Sequence, residues 1–255
     1  MIWRQLKYQM LARFRDFLFD RGMSSSSVKR VFSSVRAVIH LAIREQGLAI
    51  NNLFSGTFIP DDGAKRLRNP IPTEALQRAQ LDCQNLDDEA RWLISLISDT
   101  GMRLSEACGL LVSDIHVDAA TPFVELKEHP WRRLKTGLSQ RQIPLVGFSL
   151  WAAKRVGLSP SGFAFAKYCN EEKCNSNSAS ATLNKWLKPR VPNGCVIHSF
   201  RHSLRDRLRA IECPADIIDA IGGWATEGIG HKYGAGYDLG VKHRWISRIC
   251  KNTIE

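Results

Sequence analysis

The sequence predicts a mainly α protein with a small antiparallel β-sheet, split into a helical first part and a larger α+β second part. Three observations carry this. Apolar residues recur at threes and fours through most of the chain, the spacing of one helix face. Two short runs, Phe123 to Leu126 and Gln142 to Val146, have the β-branched and apolar character of strands, and a basic stretch joins them like the arms of a hairpin. Residues Asn51 to Pro72 are rich in turn formers, which sets a boundary near residue 69 and two domains, 1–68 and 69–255.

In chain order, Met10, Phe14, Phe17 and Leu18 mark one face of a first helix, and Arg21-Gly22 ends it. Ser24 to Ser27 offer N-caps for a second, on which Val28, Val31, Val35, Val38 and Ala42 form the apolar stripe and Gly47 closes the end. Lys29, Arg30 and Arg36 lie off that stripe. Spacing alone makes them a solvated face, and the charge of the whole chain makes a helix laid on DNA the rival reading. Lys65, Arg66 and Arg68 give the linker a charge suited to tracking a phosphate backbone. The second part starts a helix at Pro72-Thr73-Glu74. Asp87-Asp88-Glu89 then place acids at the positive end of a helix carrying Trp92, Leu93, Leu96 and Ile97. Gly101 breaks that helix, Leu104 to Leu110 form a short one, and helices resume after Trp151 around a polar loop, Asn170 to Ser178, expected to be mobile.

The chain has 255 residues, 44% of them apolar, so it can bury a substantial core. Its 36 Lys and Arg against 25 Asp and Glu leave a formal net charge of +11, which points to a polyanion: nucleic acid first, an anionic membrane surface second. No apolar run approaches the roughly 20 residues that span a bilayer, and Met1-Ile2-Trp3-Arg4-Gln5 lacks the apolar core of a secretion signal. The expected location is cytoplasmic, associated with the nucleoid. Seven cysteines, an odd number placed mostly within expected helices, are read as free thiols. Cys169 and Cys174 are too loosely spaced, with no second pair of ligands, to be read as a metal site.

A few residues can carry chemistry. Arg103 follows the Thr100-Gly101-Met102 break at the mouth of a helix, a place to meet a phosphate, and Glu106 is placed to hold its fork. Lys135 sits in the basic hairpin, where Arg132, Arg133 and Arg141 would lower its pKa and suit it to protonating a leaving alkoxide. His198 and Arg201, three apart, share a helix face, with Leu204, Leu208 and Ile211 on the buried side. Trp224 follows Ile221-Gly222-Gly223 and offers an indole donor. Tyr233 and Tyr237 are the two candidate nucleophiles. Taken singly, each has a plainer reading: a paired surface arginine, a solvated lysine, a core tryptophan, a hydrogen-bonded tyrosine.

Their order is more specific than any of them. Thr-Gly-Met-Arg-Leu-Ser-Glu around Arg103, Lys135-Thr followed by Arg-Gln-Ile-Pro-Leu, His-Ser-Phe-Arg-His from His198, and Ile-Gly-Gly-Trp with Tyr233 nine residues on together resemble the active-site boxes of the tyrosine recombinases, the phage-integrase family. The resemblance covers residues 70 to about 250 and extends more weakly over the first part. It implies a helical, SAM-like core-binding domain and then a catalytic domain of the DNA breaking-rejoining fold. It further implies a catalytic set of Arg103, Lys135, His198, Arg201, Trp224 and the nucleophile Tyr233, acting through a 3′-phosphotyrosine link without metal or nucleotide cofactor. The implied partners are double-stranded DNA, three further copies in a tetramer joined by exchange of the C-terminal helix, with Ile246 and Ile249 as anchors, and accessory DNA-bending proteins. Trp224 stands where most of the family has histidine, and Ala225 to Lys232 lack the usual Ser/Thr-rich turn. The short amino end leaves no room for an arm-binding domain and gives the core-binding domain a truncated look. Two rival functions share the resemblance: DNA relaxation of the type IB topoisomerase kind, and DNA binding by a catalytically decayed site.

Overall fold

Serine caps and glycine turns set the helix ends of this chain. The structure, a computed structural model, describes residues 8–61, 63, 69–157, 162–225 and 236–251. Two compact units divide the chain, Met1–Leu67 and Arg68–Glu255.

The first unit holds α1 (Tyr8–Asp20) and α2 (Ser25–Glu45). Ser24 caps α2 by accepting from the Ser27 N–H. Gly47, at φ +58°, turns the chain so that its own N–H reaches the Arg44 carbonyl. Phe32 is fully buried between Phe14 and Phe54, with ring centroids 5.5 and 5.4 Å away. Phe54 is delivered by a 3₁₀ turn, Leu53–Ser55, which Asn52 pins: its Oδ1 accepts from the Phe54 N–H at 3.1 Å and its Nδ2 donates to the Arg36 carbonyl at 2.9 Å. Part of the stretch expected to be linker is therefore core. The apolar stripes also shift. Leu11 and Leu18 face inward on α1, whereas Met10 and Phe17 are exposed. On α2, Val28, Phe32 and Ile39 are buried while Val38 is exposed. The expected stripes lie to one side of the buried faces, because spacing alone does not say which of two overlapping apolar stripes on a helix meets the core. Of the basic residues on α2, Arg36 donates to the Phe54 carbonyl and Lys29 pairs with Asp61, which leaves Arg30 exposed. Lys65, Arg66 and Arg68 lie outside the described residues.

The second unit is organised on α4 (Glu89–Thr100), whose residues from Leu93 to Thr100 are all buried. Asp88 caps it by accepting from the Arg91 N–H at 3.0 Å. Around it pack α3 (Thr73–Leu86), α5 (Leu104–Cys108), α6 (Gly147–Val156) and α8 (Ser199–Ala210). Asp99, buried on α4, is satisfied by Gln80 Nε2 at 3.0 Å, Arg207 Nη1 at 2.9 Å and the Phe148 N–H at 3.0 Å, so one carboxylate ties α3, α8 and the start of α6 to the spine. An antiparallel sheet in the order β1 (Ile115–His116), β2 (Phe123–Leu126), β3 (Arg141–Pro144) lies beside the helices, with Val124 opposite Ile143 and Leu126 opposite Arg141. The two arms of the expected hairpin are β2 and β3. The two-residue β1 is too short to leave a period-2 signal. The remaining helices are α7 (Ser176–Leu187), α9 (Ala215–Gly222) and α10 (Leu239–Lys251).

Two expectations fail here. Ile246 and Ile249 on α10 are 0% and 4% exposed, packed in the core of their own unit, so they are not free to anchor a neighbouring copy. The loop 170–178 is not a loose segment: it is a tight backbone-paired turn between Cys169 and Cys174 that leads into the start of α7, where Asn175 Oδ1 accepts from the Ser178 N–H. Among the described residues no helix is long and apolar enough to cross a membrane.

The end of α4 sets the course of the chain into α5. Gly101 has φ +62°, and a Cβ there would stand 2.5 Å from Leu204 Cδ2 on α8. Gly101→Ala should therefore lose about 2 kcal/mol of stability in denaturant unfolding. Part of that loss should disappear in a Leu204→Ala background, where the clash is gone. Equal losses in both backgrounds would assign the whole effect to φ.

Candidate active site

The site begins where α4 stops. After the Gly101 turn, Arg103 occupies the N-cap of α5 in extended conformation, and its N–H is held at 2.9 Å by Glu106 Oε2. The Arg103 side chain donates from Nη1 to Glu106 Oε1 and, at 3.0 Å, to Ser139 Oγ. Glu106 is 2% exposed and takes a second arginine: Arg141 Nη2 donates to its Oε2 at 3.3 Å. Burial alone would raise the Glu106 pKa. The charge of Arg141 and the bonds from Arg103 outweigh it and hold the carboxyl below its ordinary value of 4.5.

Arg141 was expected at a cationic loop tip beside Lys135, together with Arg132 and Arg133. Instead Arg132 and Arg141 are 4% and 9% exposed, and only Arg133 is exposed. Arg141 starts β3 on the same face as Ile143, so strand alternation turns it inward. There it bonds three elements: Glu106 on α5, the Ser139 carbonyl at 2.7 Å, and the Ile221 carbonyl at the end of α9 at 2.9 Å. Sequence reasoning missed this role, although the alternation with Ile143 was the available signal. Arg132 lies against the Gly109 backbone, where a Cβ would come within 2.8 Å of its Nε.

Arg201, on the first turn of α8, is 3% exposed. Its Nη1 donates to the Gly101 carbonyl at 2.7 Å, so the same turn that launches Arg103 orients Arg201. Its guanidinium stacks on the Trp224 ring at 4.2 Å, and Arg205 approaches the same ring at 5.0 Å. The indole lies back over Gly222, where a Cβ would collide with the ring, which is why Gly222 precedes the αL residue Gly223 (φ +64°). Arg205 Nη2 is held by Asp219 at 3.2 Å, and Asp219 also accepts from the Trp224 N–H through its carbonyl. Burial first, then the charges of Arg141 and Arg103, push Arg201 down to about 9, still a cation at neutral pH. Its Nη2 is buried and has no hydrogen-bond partner among the described residues. A buried guanidinium nitrogen without an acceptor is costly unless an anion arrives.

Of the expected site residues, Arg103, Arg201 and Trp224 thus come together. His198, at the N-cap of α8, lines a cavity of about 460 Å³ with Arg103, Ser105, Ser176, Asn184 and Ile197, and its ring meets that of His202 at 5.3 Å. Lys135 is exposed, on the loop whose Thr136 hydroxyl lies 3.2 Å from Ser139 Oγ, the group that Arg103 also contacts. Tyr233 lies outside the described residues, as do Gly228 and Gly230. Tyr237 donates its hydroxyl hydrogen to Asp216, and that bond and the carboxylate charge raise its pKa, the opposite of what a nucleophilic phenol needs.

A paired-arginine anion cradle behind a helix break, walled by an indole, fits a family of DNA-acting enzymes, and the relatives of the chain name it. A model of the phage integrase family matches residues 72–238, and the chain belongs to that family. The chain is similar to tyrosine recombinase XerC of Halalkalibacterium halodurans, 26% identical over 148 residues that make up 56% of this chain and 45% of the relative. It is also similar to tyrosine recombinase XerC of Psychromonas ingrahamii, 21% identical over 213 residues, 81% of this chain and 68% of the relative. Its fold is that of the Tn1549 transposon integrase in complex with a circular intermediate DNA (TM-score 0.63, 16% identity, 94% of this chain and 81% of that one). The lambda integrase tetramer bound to a Holliday junction shares it too (TM-score 0.62, 15% identity, 90% of this chain and 65% of that one).

Removing the Glu106 charge tests the cradle. Glu106→Gln leaves the buried Arg141 and the half-buried Arg103 without their anion and should cost about 3 kcal/mol at pH 7. Because the folded pKa of Glu106 is depressed, its contribution is present above its ordinary value of 4.5 and is lost as pH falls through the folded pKa. Urea unfolding from pH 7 to pH 3 should therefore bring wild type and variant closer together as acid is added. A constant gap would show that the charge is not what Glu106 supplies.

Proposed function

We propose that this chain is a site-specific DNA recombinase that cuts and rejoins duplex DNA through a 3′-phosphotyrosine intermediate. The observation that carries the reading is the buried, unpartnered Arg201 Nη2, aimed from beside Trp224 in the same cluster as Arg103. A backbone phosphate is the anion this geometry suits: two guanidiniums can take two non-bridging oxygens, and Arg201 Nη2 has no acceptor among the described residues. As Tyr233 attacks the scissile phosphorus, charge builds on those oxygens, and Arg103 and Arg201 stabilise it. Lys135 protonates the departing 5′ oxygen, His198 takes the phenol proton or donates to the phosphate, and the Trp224 indole donates to a phosphate oxygen while excluding water. Reversal of the same step with a 5′-hydroxyl from another strand rejoins the DNA, and the phosphotyrosine conserves the bond, so no nucleotide is consumed.

On this reading 1–68 is the core-binding domain and 69–255 the catalytic domain. Each binds the duplex, in the cytoplasm on the nucleoid, aided by accessory DNA-bending proteins. Four copies assemble on two sites through surfaces other than the Ile246 and Ile249 face of α10, which the monomer core occupies. The open edge of Arg201 favours a working site over a decayed one, because a buried guanidinium nitrogen with no acceptor among the described residues costs stability unless an anion binds it. Relaxation without exchange shares the cut and differs only in the fate of the cut strand, so four-way junction products separate the two.

A nicked duplex bearing a sequence selected for binding tests the nucleophile directly. Wild type should become covalently attached through the tryptic peptide that contains Tyr233. Tyr233→Phe should form no adduct, and Tyr237→Phe should still form it. Adducts with Tyr233→Phe would transfer the role elsewhere.

A further inference from the structure

Three thiols meet directly behind the candidate site. Cys108 closes the helix that Arg103 opens, and Cys174 precedes Asn175, the cap of α7, whose first residues line the cavity beside Arg103. We propose that Cys169 and Cys174 are an oxidisable dithiol, with Cys174 the attacking thiolate and Arg132 its counter-ion, so that the pair is a modification site for two-electron oxidants of the peroxide class.

The backbone geometry comes first. Cys169 and Cys174 face each other as an antiparallel pair, flanked by the bonds Asn170 N–H to Lys173 carbonyl at 3.1 Å and Asn175 N–H to Tyr168 carbonyl at 2.8 Å. Bonds on either side and none between make this the non-hydrogen-bonded register, in which facing Cα atoms are about 4.5 Å apart. A disulfide spans Cα separations of about 4.4–6.8 Å. Both thiols are free, and the bond can close on a backbone already in register.

The second observation is independent. Arg132 is 4% exposed, and its Nε, Nη1 and Nη2 are all buried without a hydrogen-bond partner among the described residues. The nearest carboxylates are committed elsewhere, Asp114 to Lys127 and His129, Glu106 to Arg103 and Arg141. The other groups within electrostatic reach are the Cys174 sulfur and, acting less strongly, the Cys169 sulfur. Cys174 is bonded by the Cys108 and Cys169 thiols and attracted by Arg132. Against the cost of burial these bring it down to about 7, whereas burial and the neighbouring Cys174 push Cys169 up to about 12. A metal cation is a poor occupant, because it would sit against a buried guanidinium.

The chemistry balances. The Cys174 thiolate displaces one oxygen of hydrogen peroxide, giving a sulfenic acid and, after protonation, water. The Cys169 sulfur then attacks the sulfenic sulfur, forming the disulfide and releasing the second water; its proton leaves with that water.

Lys173 lies between the two cysteines, so trypsin separates them and the bond appears as a linked peptide pair. One equivalent of peroxide on the full chain, then alkylation and mapping without reductant, should give the Cys169–Cys174 pair before Cys83, Cys195, Cys213 or Cys250 is oxidised. Dithiothreitol should reverse it. Iodoacetamide at pH 7 should label Cys174 at least tenfold faster than those four, and Arg132→Met should move the midpoint of that labelling to higher pH. Cys169→Ser, a change that does not need the arginine to fold, should keep the fast labelling of Cys174 and lose the linked pair. A Cys108–Cys174 link instead, or a Cys174 no more reactive than the other thiols, would overturn the proposal.

Discussion

One buried carboxylate holds the candidate site together. Glu106 fixes the backbone and the fork of Arg103 and anchors Arg141, and Arg141 in turn binds the end of α9, from which the Gly222-Gly223-Trp224 turn leaves. Three arginines, Arg103, Arg141 and Arg201, are thus gathered around a single anion. Such a cluster is short of negative charge by construction. That deficit suits it to an anion, and Arg201 Nη2, buried with no acceptor among the described residues, is left open for one.

The Gly101 turn performs the matching service for Arg201. Its positive φ ends α4, its carbonyl receives Arg201 Nη1, and its missing side chain leaves room for Leu204. Helix termination, arginine orientation and helix packing are then one constraint. Trp224 adds a flat wall on which Arg201 and Arg205 both stack.

Much of this was legible in the sequence because the informative residues lie at breaks between elements. Gly101 and the acidic run at Asp88 are local signals, and they located α4 and the start of α5 closely. Arg103, Arg201 and Trp224 come together because each sits at the start or end of an element that local signals mark. What failed depended on tertiary contacts. Arg132 and Arg141 read as a solvated cationic tip, since nothing local reveals that Glu106 waits for one and a glycine surface for the other. The core face of α2 was misplaced because a row of valines mimics the stripe that Phe32 and Ile39 actually form, and that of α1 because the exposed Met10 and Phe17 are as apolar as the buried Leu11. Ile246 and Ile249 looked like anchors for another copy, and no spacing rule separates an apolar face turned toward a neighbour from one turned home.

The central claim is that guanidinium charge at this site acts on the charge of a backbone phosphate. Cleavage rates for wild type and Arg201→Ala on a duplex whose scissile phosphate is replaced by a neutral methylphosphonate, set against the same pair on natural DNA, test it most directly. The account predicts a loss of about 10²-fold or more on the charged phosphate and a much smaller one on the neutral linkage. An equal loss on both substrates would contradict it.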